Sequence, residues 1–413
     1  MNKQILLKFF FISCLVFLTS CWDQAAVDEK AYVVAIGLDK GEDDHIRVSF
    51  LIENPTLSTL SQGGTQNEPS RKIISFVAED YIAAKEIANV IIPHEITYDI
   101  LKYMFIAEEF ARENKFIRYM YDAAKDMEIR RDLHLIVTKE NAFTFLEQNN
   151  PKFEKRPYRY YDLMLKRGFF SGMIPIDSML LYYYRITEAN ADLFLSVFSS
   201  ATPEEDKQIV HNDQFMAGEL ASEGTVDKTQ FAGSAVFKEG KMIGKLTAEE
   251  TRLTTLLNKT LRGENILTNL TDPFNEAYEI ALRIISNRNN EINMDLKQRT
   301  IDVTVPLIVN VLTNHSMTDY WDNQDNRRIL KEHIEEELES KFKALVKKTQ
   351  EEFKAQPFGW SLEVRKKFLT IREYEQFNWK ENYPDMEVNI TVDVRFGEFG
   401  RQRLVPDLKE IRD

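Results

Sequence analysis

The chain has 413 residues, 43% hydrophobic and 11% aromatic, enough to bury cores in two to three domains at roughly 100–200 residues each. Glycine and proline are scarce (15 and 12 copies) and 29% of residues are charged, which excludes collagen-like, low-complexity and wholly disordered chains. The net charge of −13 repels nucleic-acid phosphate, so no nucleic-acid partner is expected, and the only cysteines, Cys14 and Cys21, exclude a disulfide framework or a Cys-rich zinc site in the body.

The first segment has the form of a secretory signal peptide: Lys3 and Lys8 flank the start of an apolar run, Ile5 to Leu18, that closes on Thr19 and Ser20. The run is short for a span of about 20 apolar residues, although an uncleaved anchor is the alternative. Leu18-Thr19-Ser20-Cys21 resembles a bacterial lipobox, in which two small residues fit a peptidase cleft and the thiol of Cys21 takes diacylglycerol. Two acyl chains make stable anchoring. An unmodified Cys21 behind an ordinary signal is the competing reading. Cleavage before Cys21 removes residues 1–20 with Lys3 and Lys8, and the formal charge becomes −15.

Strands are expected at Tyr32–Leu38 and Ile46–Ile52, the second with Ile46, Val48, Phe50 and Ile52 on one face and Arg47 and Ser49 on the other. Residues 55–70 have loop composition, a third strand falls at Ile73–Val77, and Glu79–Ile92 reads as a helix with Ile82, Ile87 and Val90/Ile91 near one face, stopped by Pro93. An apolar strand at Tyr103–Ala107, a helix over Glu108–Asp122, a strand at Leu133–Val137 and a helix opening near Lys139 complete an alternating α/β pattern. One long helix is expected between Asp177 and Phe198. The polar run Thr202–Lys207 marks a boundary. Beyond it, Phe231–Phe237 and Met242–Leu246 flank Lys238-Glu239-Gly240-Lys241 as a hairpin, and Thr247 with Glu250 forms a capping box. A strand runs over Ile301–Val311, where Pro306 suggests a sheet edge. Leu330, Ile334, Leu338, Phe342, Leu345/Val346, Thr349 and Phe353 form one helical stripe, and Val388–Phe396 alternates as a last strand.

The resulting fold class is α/β plus α+β: multi-domain, mixed sheets with packed helices. The expected division is a signal peptide at 1–20, an N-terminal α/β region at 21–202 with a sub-boundary near 150, and a C-terminal α+β region at 203–413 that splits near 290.

No phosphate-binding glycine loop, zinc-protease helix or serine-hydrolase elbow is present, and His45, His94, His134, His211, His315 and His333 are scattered without ligand spacing. No catalytic residue, cofactor or metal is therefore expected. Ser340 and Lys343 satisfy S-x-x-K but fall on the solvent side of the long helix without partner motifs. Asp319, Asp322 and Asp325 could suit a hard cation, yet they lack the glycine and terminal glutamate of a calcium loop, and capping is the simpler role. From Lys152 to Phe170 six cations face two carboxylates among tyrosines and phenylalanines; this is either a contact with headgroups or a membrane partner, or an ordinary solvated interdomain segment.

Cys21-Trp22-Asp23, Ala35-Ile36-Gly37-Leu38-Asp39, Arg130-Arg131-Asp132 leading into Leu135–Thr138, Phe231-Ala232-Gly233-Ser234-Ala235-Val236-Phe237, Gly244-Lys245-Leu246 and Glu249-Glu250 together resemble the Ger(x)C family, the lipoprotein C subunits of spore germinant receptors. The resemblance runs discontinuously over nearly all of the mature chain. It departs from the family pattern at Gln24-Ala25-Ala26, Ala355–Trp360 and Gly397–Gly400. It implies a multi-domain, non-enzymatic protein on the outer face of the inner spore membrane. Diacylglyceryl-Cys21 would anchor it in the lipid bilayer beside two integral membrane subunits of A and B type, in a complex that senses nutrients and triggers germination. The competing function is a solute-binding lipoprotein that delivers a small molecule to a transporter. A cell-envelope hydrolase built on Ser340 is third.

Overall fold

The computed structural model describes residues 29–42, 44–53, 71–203, 213–221, 224, 227–258, 265–286 and 288–400. The signal segment, Cys21, the expected loop at 55–70 and His211 lie outside them. The fold is mixed sheets with packed helices, as the residue pattern implied.

The first sheet is built from β1 (Lys30–Lys40), β2 (Ile46–Glu53), β3 (Arg71–Ala78), β4 (Glu95–Thr97), β5 (Tyr103–Ala107), β6 (His134–Thr138), β7 (Phe194–Ser200), β8 (Gln230–Lys238) and β9 (Lys241–Leu246). Its order is β3-β2-β1-β5-β6-β7-β8-β9, with β4 also on β1. β1, β5, β6 and β7 run parallel, and antiparallel hairpins extend both flanks. The parallel strands are buried on both faces, which is why β5 and β6 are continuous apolar runs. The alternation expected for β2 holds: Ile46, Val48, Phe50 and Ile52 pack in one core, Arg47 is exposed on the other face, and Ser49 on that face is fully buried, donating to Ser75 Oγ at 3.0 Å, because the helix α4 (Ala142–Gln148) covers that side.

The helix α1 (Tyr81–Ile91) starts where expected: Asp80 caps it by accepting from the amides of Ile82 and Ala83, both at 2.8 Å. Its orientation is the surprise. Tyr81, Ala84 and Ala88 face the core, while Ile82, Ile87, Val90 and Ile91 are exposed. Phe50 and Tyr98 already fill the space beneath, so the alanine side is the one that can approach the sheet. The expected helix over 108–122 is two, α2 (Glu108–Ala111) and α3 (Phe116–Lys125). The helix α5 (Pro157–Ser171) takes up most of the basic aromatic stretch. The long helix expected between Asp177 and Phe198 is instead α6 (Leu180–Ala189), ended by Asn190 in the left-handed region (φ 47°), followed by β7. Pairing of β7 with β6 and β8 outweighs any helical preference of 194–198.

After α7 (Ala248–Leu257), the second sheet contains β10 (Ile266–Thr271), β11 (Glu279–Ile285), β12 (Glu291–Asp295), β13 (Thr300–Asn314) and β14 (Glu387–Phe396). β13 is central, contrary to the edge position suggested by Pro306. It pairs with β14 along one side, and on the other with β12 through 300–304 and β11 through 308–314. Pro306 sits in the gap between those two ladders, where its missing N–H costs nothing on that side. The apolar stripe of α8 (Gln324–Lys348) and the π-helical turn after it is buried as expected. The same helix covers the free edge of β14: Glu339 accepts from Val392 N at 3.1 Å and Glu335 from Val394 N at 2.8 Å.

Strand pairing crosses each expected boundary. Residue 150 lies between β6 and β7, residue 203 between β7 and β8, and residue 290 between β11 and β12, and each of these pairs belongs to one sheet. The hairpin β8–β9, counted with the C-terminal half from sequence, completes the first sheet. Removing both edge carboxylates, Glu335→Ala with Glu339→Ala, should lower the unfolding free energy by about 2 kcal/mol and promote aggregation, as read by urea denaturation and light scattering.

Candidate functional site: the joint between the two sheets

The hairpin β8–β9 and α7 join the sheets, and the residues there explain their own identity. Gly233 has φ +82°, and a Cβ on it would stand 2.6 Å from Leu246 O, so only glycine lets β8 and β9 close here. Gly244 clears the way for the Phe353 ring, which would lie 2.5 Å from an added Cβ. Ser234 Oγ meets Thr251 Oγ1 at 2.7 Å, tying the strand to α7. Thr247 and Glu250 form the expected capping box. Glu250 also accepts from Lys348 at 2.8 and 2.9 Å, and Glu249 pairs with Lys341, so two ion pairs clamp α7 to α8.

Beside this clamp, α6, α7 and α9 (Trp360–Arg365) enclose a cavity of about 570 Å³. Its polar lining includes Asp177, Arg185, Asp192, Thr251, Thr254 and Ser361. Asp192 bridges the units: its carboxyl accepts from Gln356 Nε2 and from Ser361 Oγ, and the next amide, Leu193 N, donates to Gln356 O at 2.9 Å. Gln356 Oε1 in turn accepts from Phe358 N at 2.5 Å. Burial pushes the Asp192 carboxyl up to about 7, only partly offset by Ser361, and burial also raises Asp177. The size and the mixed lining suit a small polar molecule. The threonines and carboxyls do not form a nucleophile–base pair, and among the described residues no cluster of His, Cys, Asp and Glu could hold a metal.

The residues singled out from sequence fall elsewhere. Cys21 is outside the described residues. Ser340 and Lys343 are exposed, with Lys343 paired to Glu339 at 3.5 Å. Asp319 accepts from the amides of Trp321 and Asp322 at 2.9 and 3.0 Å in a turn, and Asn323 caps α8. In the basic stretch, Tyr160 and Tyr161 are core, Arg156 and Arg159 pair with Glu154, and Lys166 pairs with Asp162. His134 is buried, and burial with Lys102 nearby lowers it to about 4, so it is neutral at pH 7. Asp192 and the cavity were not found from sequence, because a single aspartate between helix and strand carries no motif.

Two family models match the chain. One, described as the spore germination protein N-terminal domain, covers residues 23–200; the other, described as spore germination B3/GerAC like, C-terminal, covers 232–400. The chain belongs to the Ger(x)C family. Spore germination protein B3 of Bacillus subtilis (strain 168) is 20% identical over 406 residues, spanning 94% of this chain and 96% of that protein. The crystal structure of the GerBC protein shares the fold at a TM-score of 0.51 and 15% identity, covering 87% of this chain and 96% of that one. The two family units meet between β7 and β8, adjacent strands of one sheet. The motif residues Phe231–Phe237, Gly244–Leu246 and Glu249-Glu250 therefore mark the joint.

Two variants test this site. Gly233→Ala should cost about 2 kcal/mol or more, from the left-handed backbone and the contact with Leu246 O, and lower the thermal midpoint. Because Asp192 holds its proton more tightly folded than unfolded, it contributes most to stability below about pH 4, and that contribution is lost as pH rises towards 7. Asp192→Asn should flatten this part of the stability–pH profile measured by denaturant titration.

Proposed function

We propose that this chain is the lipid-anchored, non-enzymatic C subunit of a nutrient germinant receptor that triggers spore germination. The observation that carries this reading is the pair of family models over 23–200 and 232–400, each described as a spore germination domain. The lipobox Leu18–Cys21 supports an anchor through diacylglyceryl-Cys21 on the outer face of the inner spore membrane. No helix among the described residues is long and apolar enough to cross a membrane, so in this reading attachment falls to the lipid and to two integral membrane subunits of A and B type. The subunit would act as a rigid receptor component.

The joint cavity favours a second reading, a solute-binding lipoprotein that delivers a small molecule to a transporter. A nutrient panel distinguishes the two: a ligand-dependent rise in thermal midpoint that is lost in Thr254→Leu supports solute binding, and no shift with any nutrient counts against it.

Spores lacking the gene should lose refractility slowly with one class of nutrient yet respond normally to a trigger that bypasses nutrient receptors. Normal germination with every nutrient, together with a detergent pull-down that recovers neither membrane subunit, would sink the receptor reading. The mature chain should carry the mass of a diacylglycerol on residue 21, Cys21→Ala should lose it and reproduce the deletion phenotype, and a mature wild-type chain without that mass would remove the lipid as the anchor.

A further inference from the structure

Among the described residues, five large apolar side chains are more than 60% exposed: Met127 (98%), Leu369 (97%), Phe153 (90%), Val90 (87%) and Ile91 (63%). Four of them lie towards one end of the first sheet, Val90, Ile91 and Met127 on the side that α1 covers and Phe153 on the side that α5 covers. β1, β4, β5 and β6 are parallel: β4 begins at the start of β1, with Lys30 beside Glu95, and β5 and β6 begin further along it, with Ala35 beside Tyr103 and Tyr103 beside His134. Val90 and Ile91 end α1 just before β4, held by Asn89 Oδ1, which accepts from Ile96 N at 2.8 Å. Met127 lies in the loop before β6, and its neighbour Glu128 is bound by Lys85 of α1 at 2.6 Å. Phe153 precedes α5, whose first turn meets the same end: Tyr103 OH donates to Tyr158 O at 3.2 Å. On the other side of Phe153, Arg71 of β3 donates to Leu146 O at 3.2 Å, and Arg71 is opposite Glu53, the last residue of β2. Leu369 alone belongs to the C-terminal unit.

We propose that this rim rests on the lipid bilayer, with Val90, Ile91, Met127 and Phe153 entering the headgroup region. The inference rests on the proposed anchor at Cys21. Eight residues, Trp22 to Glu29, separate Cys21 from Lys30, a reach of at most about 30 Å. The lipid therefore tethers the molecule by the very end where its exposed aliphatic and aromatic side chains collect. Monomeric soluble surfaces seldom present such a set together, and here solvent is not its only neighbour. Charge agrees with the apolar residues. In a chain of net −13, residues 152–167 carry six cations against two carboxylates, so a positive excess remains in this segment after Arg156 and Arg159 pair with Glu154 and Lys166 with Asp162, which suits anionic headgroups. The apolar arc of α1 turned away from its own core, Val90 and Ile91 above all, is thereby placed against a hydrophobic phase.

The test uses the full chain, processed in its membrane, with one cysteine introduced at a time: Val90→Cys, Met127→Cys, Phe153→Cys or Leu369→Cys. All four positions are open enough to tolerate the change and a nitrobenzoxadiazole label. Each chain is reconstituted in phosphatidylethanolamine–phosphatidylglycerol vesicles whose acyl chains bear doxyl quenchers. Labels at 90, 127 and 153 should shift to the blue and lose about half their emission, as expected for a depth of about 5–10 Å, and the label at 369 should do neither. Four labels behaving alike would overturn the proposal. So would labels at 90, 127 and 153 that escape lipid quenching but become shielded from iodide only when the two membrane subunits are added, because the occupant would then be protein. Intact mass reads the anchor independently. A diacylated chain without quenching removes the rim contact and leaves the anchor; an unmodified Cys21 removes the anchor, and with Cys21→Ala added so that the introduced cysteine alone is labelled, quenching then reports the rim contact by itself.

Discussion

A shared core holds the molecule together. Val236 and Leu246 of the first sheet, and Leu193 just before β7, are buried in the same cluster as Leu253, Leu256 and Leu257 of α7 and as Phe353 and Trp360 of the C-terminal unit. Each such side chain contributes about 1.5–3 kcal/mol on burial, so separating the sheets would expose many kcal/mol of apolar surface. α7 is thus a structural wedge with a buried face on each side, and Ala248 at its start packs in the core of the first sheet. The glycines of the hairpin and the glutamates of the capping box serve this packing. They let β9 approach Phe353 and bring Lys341 and Lys348 onto α7.

This arrangement bears on how a receptor component could work. Units joined by a hydrophobic core, rather than by a linker, transmit displacement as a body. Asp192 lies two residues before β7, which runs parallel to β1, so the cavity lies beside the N-terminal end of β7. A small molecule in that cavity would touch α6 of the first unit and α9 of the second. The polar bridge through Gln356 and Ser361 is the part of the joint whose protonation changes near neutrality.

Local chemistry made much of the fold legible. The capping box at Thr247, the positive-φ turn at Glu239-Gly240, the stripe from Leu330 to Phe353 and the alternation of 388–396 are short-range signals, and each forms the expected element. The misses share a cause. Residues 194–198 become a strand because β6 and β8 offer ladders on both sides; Pro306 is tolerated in a central strand because two partners leave a gap; and α1 turns its branched residues outward because Tyr81, Ala84 and Ala88 take the core side. Each outcome depends on a neighbour far away in sequence. The joint cavity was illegible for the same reason, since its lining comes from 175–195, 251–258 and 357–363.

By itself, the sequence determined the family, the anchor motif at Cys21, the absence of known catalytic patterns and the identity of most strands and helices, because these reside in spacing, turn chemistry and periodicity along the chain. Tertiary structure decided which face of α1 meets the core, that one sheet spans the expected boundary at 203, and where Asp192 is desolvated. Burial and strand pairing are set by what packs alongside, and that is a property of the folded whole.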